Sequence, residues 1–213
     1  MNFDPLSIGA SHCYQLMVGS ITPRPIAWIS TISHTGVLNL APYSFFTVAS
    51  CNPPVLAVTQ VNPRDREAKD TLVNLRATKE CVVNIVSEDL AVLMNASCGD
   101  YPQDVSEFAV LAIESEASQS VAVAGVKLAN VRFECKLREI VEVSTLPMGG
   151  HMMLLDVRNI YVNESILIEG KIAPHLLNTI GKLGGDWYSN TQHRFEMSRP
   201  VIQPTAITHD TLK

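Results

Sequence analysis

The sequence predicts a mainly β protein, an antiparallel barrel with a few helices at its periphery, and three observations carry that expectation. Between Pro25 and Val61, four short runs rich in β-branched and aromatic residues are separated by turn chemistry, His34-Thr35-Gly36 and Cys51-Asn52-Pro53-Pro54. Links of hairpin length make such runs antiparallel neighbours, because a parallel crossover needs a dozen residues or more. Further on, residues 131–144 and 151–162 form two long strands, the first with apolar and polar side chains in alternation, joined through the turn sequence Leu146-Pro147-Met148-Gly149-Gly150. Helical spacing is confined to short stretches.

Taken in order, residues 10–18 predict a short helix, with Ser11 as its cap and Gly19 where a left-handed terminal residue is wanted. A hairpin follows. Residues 26–31 alternate as a strand, the Gly-containing turn reverses the chain, and Val37-Leu38-Asn39-Leu40 returns. Pro23 and Pro25 lack the N–H of a ladder donor, which confines them to the start or edge of that strand. Residues 43–49 and 55–61 read as strands around the Asn-Pro-Pro turn, and residues 62–66 as a polar break. Leu72, Leu75 and Arg76 place a helix over 68–79, with Lys69, Asp70 and Thr71 in its first turn. Residues 80–86 are a buried strand, and 90–96 and 105–112 short helices. The Ser- and Ala-rich stretch 113–129 reads as a meandering surface segment. After the two long strands come a short strand at 166–168, a helix over 174–180, and an irregular aromatic tail through Arg199-Pro200.

At 213 residues the chain suits one domain spanning 1–213, with room for a sizeable core. A net charge of -5 and no Lys/Arg cluster argue against a nucleic-acid partner. Charged residues make up 17% and apolar ones 46%, so more surface is available for burial than one fold needs, and a subunit interface is the simplest place for it. Five cysteines without C-x-x-C spacing read as reduced thiols. With neither a signal-like start nor an apolar run long enough to span a bilayer, the expectation is a soluble, cytoplasmic protein without a membrane partner. The six histidines are scattered, so no metal site is expected, and Cys81 and Cys135 lie in apolar strands that do not favour thiolate chemistry.

Two sets of side chains suggest binding. Ser30 and Thr31 on the hairpin, with Arg64, Lys69 and Thr71 around the start of the 68–79 helix, combine hydroxyls, cations and a helix N-terminus into an anion site. Asn39-Leu40-Ala41-Pro42 offers main-chain groups to the edge of a planar polar ring, with Pro25, Trp28 and Tyr43 beside it. A strand aromatic is more commonly core, and Phe45 is read that way.

The order RPIAWIST, TG, NLAPYSFF and NPP resembles the opening signature of the flavin reductase-like, FMN-binding split-barrel family, to which flavoredoxins belong. The likeness continues through Lys69-Asp70-Thr71, Glu134-Cys135, Leu183-Gly184-Gly185 with Tyr188, and Arg199-Pro200. It implies a Greek-key split β-barrel, a homodimer with flavin near the interface, and FMN as cofactor. It assigns the phosphate to the Ser30-Thr31 pair and the KDT motif, while Arg64 is an extrapolation from position. It assigns the ring to backbone around Asn39, Ala41 and Pro42 and to Ser44, and places Gly185 and Tyr188 near the flavin. It also suggests His151 near the nicotinamide or substrate. Where the family commonly has Arg before Leu-Gly-Gly, this chain has Lys182, which turns a bidentate contact into a point charge. The implied activity is an NAD(P)H-dependent flavin reductase that uses NADH or NADPH and passes electrons to free flavin or another small acceptor. The alternatives are an FMN enzyme acting on a specific small molecule and a flavoredoxin-like electron carrier.

Overall fold

The computed structural model describes residues 1–63 and 68–201, so the predicted contact Arg64 lies outside the described residues. In chain order the helices are α1 (Pro5–Ser20), α2 (Asp70–Thr78), α3 (Ala91–Ala96), α4 (Glu107–Val110) and α5 (Pro174–Leu177). The strands are β1 (Arg24–Pro25), β2 (Ala27–Ile32), β3 (Leu38–Tyr43), β4 (Phe46–Cys51), β5 (Pro54–Val61), β6 (Glu80–Ile85), β7 (Ser115–Glu116), β8 (Gly125–Val126), β9 (Val131–Glu142), β10 (Gly150–Val162), β11 (Leu167–Ile168), β12 (Lys171–Ile172), β13 (Ile180–Lys182) and β14 (Tyr188–Asn190). The protein is mainly β with a few peripheral helices, and no helix among the described residues is long and apolar enough to cross a membrane.

Seven strands form one antiparallel sheet in the order β3-β2-β6-β9-β10-β5-β4. Its two edge strands, β3 and β4, are separated in sequence only by Ser44 and Phe45. Three Cα steps from Tyr43 to Phe46 reach at most about 11 Å, so the two edges must meet and the sheet must roll into a barrel. The Thr59 N–H donates to Phe45 O at 2.8 Å and the Tyr43 hydroxyl lies 3.5 Å from Gln60 Oε1, which ties β5 to the corner. No ladder joins β3 to β4, and the barrel is split along that seam.

Strand β2 is buried on both faces, and its period-2 geometry sends alternate side chains into two cores. Ala27 and Ile29 join Tyr43, Leu56, Val58, Leu72, Leu75 and Met153 inside the barrel. Trp28 faces the other way, into a second cluster with Leu40, Met94, Phe108 and Val126. The expected hairpin forms: Thr31 pairs with Asn39, and Gly36 takes a φ of 87° in the turn.

Several boundaries differ from the sequence expectation. The first helix starts at Pro5, where Asp4 accepts from the Leu6 N–H at 3.0 Å, and is kinked at Gly9 (φ 75°, ψ 157°); Ser11 is not its cap, and Gly19 is helical. The run 43–49 is not one strand, because Tyr43 ends β3 and the corner Ser44-Phe45 intervenes. Instead of continuing as helix to Ile180, α5 ends at Leu177; Asn178 is left-handed (φ 44°), and Ile180–Lys182 is the strand β13. Within the tail, only Tyr188–Asn190 is regular, as β14 against β13 in a three-stranded sheet with β1; residues 191–201 are irregular, as expected. The segment 113–129 is a cover and not a surface meander: Ile113, Val123, Val126 and Ala129 are buried, and Asn84 Oδ1 accepts from the Val126 N–H at 2.8 Å.

Glu134 was expected on the polar face of its strand, yet it is buried beneath this cover. Burial pushes its carboxyl up, but donation from the Gln119 and Ser120 N–H groups and from Asn159 Nδ2 outweighs that and leaves it below its ordinary value. A depressed carboxyl stabilises the fold above its unfolded pKa of about 4.3, and that contribution is lost as pH falls through the lower folded value. Glu134→Gln is therefore expected to lose about 1.5–3 kcal/mol at neutral pH, the range for hydrogen bonds to a charged group. In urea unfolding across pH, the gap to wild type should close in acid.

Candidate functional site

The hairpin and the start of α2 meet at a buried polar junction. Asn39 Nδ2 donates to Thr71 Oγ1 at 3.1 Å and to Thr31 Oγ1 at 3.4 Å, and Asn74 Nδ2 reaches Thr31 Oγ1 at 3.1 Å. Thr31 and Thr71 are wholly buried, and both asparagines nearly so. Lys69 occupies the cap position with extended backbone and no side-chain hydrogen bond closes the helix start, so the first turn of α2 opens onto a cleft. That cleft encloses about 190 Å³ and brings together Asn39, Ala41, Pro42, Lys69 and Thr71.

A second cavity of about 110 Å³ shares the walls Pro42, Tyr43 and Cys98 with the first and adds Ser44, Lys182 and Tyr188. Lysines stand at both ends of the run: Lys69 Nζ lies 6.0 Å from the Tyr43 ring centroid, and Lys182 Nζ 4.0 Å from that of Tyr188. Burial pushes the Cys98 thiol up, and the positive charges of Lys69 and Lys182 oppose that rise. Ser44 is fixed by Arg24, whose Nε donates to its hydroxyl at 3.4 Å. Arg24 itself is buried and donates to the carbonyls of Val18, Ile21 and Leu183, which joins α1, β1 and the tail.

Glu107, which the sequence analysis did not single out, lines the first cavity. Its Oε2 accepts from the Leu40 N–H at 2.9 Å, on the outer edge of β3. The main-chain donor that Leu40 was expected to offer a ring is thereby occupied. Burial raises the Glu107 carboxyl; its own N–H and that of Leu40 partly offset this, and the negative Asp70 adds to the rise. The only sequence signal was an acidic residue at a helix start, an ordinary feature of helix N-termini.

Six predicted residues stand elsewhere or act differently. Trp28 is wholly buried and donates from Nε1 to Ser97 Oγ at 2.8 Å, so it is core. Ser30, one residue from Thr31, points to the opposite face and donates to Ala124 O at 2.7 Å. Thr31 does reach the junction, but it accepts from the two asparagines and, unlike Thr71, lines neither cavity of the cleft. Pro25 lines a separate apolar groove of about 510 Å³. Gly185, with φ 57°, is exposed in the turn between β13 and β14. His151 lines neither cavity of the cleft. Its Nδ1 donates to Asn62 Oδ1 at 2.7 Å, while Asn62 Nδ2 donates to the carbonyls of Ser144 and Leu146, so the imidazole latches the 144–149 turn to β5.

Residues 18–177 match the model of the flavin reductase like domain. Nitrilotriacetate monooxygenase component B from Bacillus cereus is 31% identical, with a TM-score of 0.87 over 92% of this chain and 98% of that one. The 2-nitrobenzoate 2-nitroreductase of Pseudomonas fluorescens is 27% identical, with a TM-score of 0.86 over 97% of this chain and 100% of that one. A Shewanella frigidimarina protein with a split barrel domain shares the fold at 18% identity and a TM-score of 0.79, over 94% of this chain and 100% of that one.

A carboxyl held above its ordinary value makes the folded state lose stability as pH rises from about 4.3 through the raised value. Glu107→Gln keeps an acceptor for the Leu40 N–H and removes that titration, so its stability relative to wild type should improve between pH values on either side of this range. Glu107→Ala leaves a buried donor unpaired and should cost about 1–3 kcal/mol. Urea titrations of the three proteins at acid and neutral pH check both expectations.

Proposed function

The chain belongs to the flavin reductase like family, and from that premise we propose that it is an FMN-dependent oxidoreductase that takes electrons from NADH or NADPH and passes them to free flavin or another small acceptor. The observation that carries this reading is the convergence of Asn39, Ala41, Pro42, Lys69 and Thr71, from two separate elements, on one polar cleft. Bound there, FMN supplies the redox-active ring that no side chain provides.

The donor set fits the phosphate end. Lys69 contributes a positive charge, the open first turn of α2 contributes N–H groups, and the Thr71 hydroxyl is held in place by Asn39. Asp70, Asp100 and Glu107 also line the cavity, and their negative charge opposes an anion. Glu107 is turned to the Leu40 N–H and its raised carboxyl is less readily ionised, which lessens its share of that repulsion. Pro42 and Tyr43, shared between the two cavities, offer apolar walls to the ring, and Ser44 and Tyr188 bound its far side.

Neither cavity by itself reaches the roughly 300 Å³ at which small-molecule sites usually begin. Both are needed for one cofactor, and a surface from a second copy would complete the enclosure. The apolar groove adjoins the cleft through Ile26 and bears the exposed Val48 and Ile172, which makes it the face we assign to a homodimer. A second reading, direct action on a small organic substrate, draws on the likeness to the 2-nitrobenzoate 2-nitroreductase. Anaerobic assays with free FMN and with 2-nitrobenzoate as acceptors separate the two.

The purified protein reconstituted with FMN should lose its visible flavin absorbance when NADH or NADPH is added without oxygen; flavin that stays oxidised would defeat the nicotinamide-linked reading. Lys69→Met and Thr71→Val should each weaken FMN binding, by up to about 10–100-fold for the charged contact. Riboflavin, which lacks the phosphate, should bind wild type and variants alike in the same fluorescence titration.

A further inference from the structure

Lys182 is a cation that lines the second cavity, and among the described residues it forms no ion pair. Strand β13 lies between β1 and β14, and the register aligns Arg24, Lys182 and Tyr188 across the three strands. Residues directly opposite in antiparallel pairs share a face, so these side chains form one row. Arg24 is turned inward and spent on three carbonyls and Ser44. Lys182 is not. Among the described residues the ion pairs are Lys127–Glu114, Lys136–Glu80, Arg138–Asp156, His151–Glu142 and Arg158–Asp156, and Lys182 takes part in none of them.

Its position is nevertheless fixed. The ammonium rests 4.0 Å from the Tyr188 ring centroid, and the Tyr188 hydroxyl donates to Asn95 Oδ1 at 3.2 Å, which holds the ring in place. Asp186 is near enough to act on the Tyr188 phenol but forms no ion pair with Lys182. The cavity it borders joins the polar cleft through Pro42, Tyr43 and Cys98, and Lys69 stands at the other end. One run of cavity thus carries two separate cations. A cofactor with a single phosphate occupies one of them and leaves the other to a different ligand.

We infer that Lys182, seated on Tyr188, is an anion-recognising subsite for the second substrate, reading a phosphate or carboxylate carried next to a flat ring that enters beside the flavin. The inference rests on the proposed flavin reading. An ammonium is a point charge that lacks the planar fork of guanidinium, so this subsite accepts either anion without bidentate selection. The two sources are a nicotinamide dinucleotide, through its phosphates, and an aromatic carboxylate.

The test uses the FMN-reconstituted protein and its Lys182→Met and Lys182→Arg variants. Kd for FMN, KM for NADH and for NADPH, and inhibition by benzoate are measured at low and high salt. For Lys182→Met the expected result is a rise of about three- to tenfold in KM for the nucleotide or in the benzoate inhibition constant. FMN affinity should be unchanged and the salt dependence of the affected constant reduced, while Lys182→Arg keeps near-wild-type values. A rise confined to NADH and NADPH identifies the nucleotide as the ligand, and one confined to benzoate identifies the carboxylate. If neither constant moves, or if FMN affinity falls in step with them, the subsite assignment is wrong. Failure of wild type to bind FMN overturns the flavin reading first, and the inference falls with it.

Discussion

Two residues, Ser44 and Phe45, connect strands that stand at opposite edges of a seven-stranded sheet. Everything else in the molecule accommodates that short connection. The sheet has to curl until its edges meet, and the corner it makes there is the place where Pro42, Tyr43 and Ser44 line a cavity. An edge strand at such a seam leaves outward N–H and C=O groups without ladder partners. The chain answers at Leu40 with the Glu107 carboxylate, and at position 42 with a proline that has no N–H to satisfy. The split is thus a weakness in the sheet that the chain's own groups close at these two positions.

The period of a strand decides which hairpin residues face that opening. Thr31, Asn39 and Thr71 lie on the barrel side with α2, whereas Trp28, Ser30 and Leu40 lie on the side covered by α3, α4 and the 113–129 segment. Adjacent residues such as Ser30 and Thr31 cannot both serve one site by their side chains. That much was legible in the sequence, since alternation alone separates the two hydroxyls. It does not say which face belongs to the cleft, because β2 is apolar on both.

Strands, hairpin and α2 were legible because their signals are local: alternation, a glycine turn, and leucines at helical spacing. The placement of Lys69 and Thr71 at the start of α2 followed from the same local signals. What escaped depends on contacts far apart in the chain. Glu134 reads as a solvent-facing strand residue until the cover segment brings two N–H groups to it, and that segment has too few large apolar side chains to announce its burial. His151 follows two glycines at the start of a strand, the setting of a side chain that reaches a cleft, yet its partner is Asn62, 89 residues earlier, and the pair serves a turn. Glu107 escaped for the same reason, being 67 residues from the N–H it accepts.

Charge brings these elements together. The chain carries a net charge of -5, so at long range it repels every anionic ligand that a nicotinamide- and flavin-linked reaction would use. Screening in physiological salt confines exposed charges to within about 8 Å, and at that range local groups decide. In the cleft those groups are the two lysines, whose charges both act on Cys98 between them. Carboxylates share the Lys69 end, and one of them, Glu107, is engaged with a main-chain donor and held above its ordinary value, so the local balance leans further toward accepting an anion than the residue count suggests. An anion bound in the cleft would therefore be held by a few positions fixed by the barrel seam, against an overall charge of the opposite tendency.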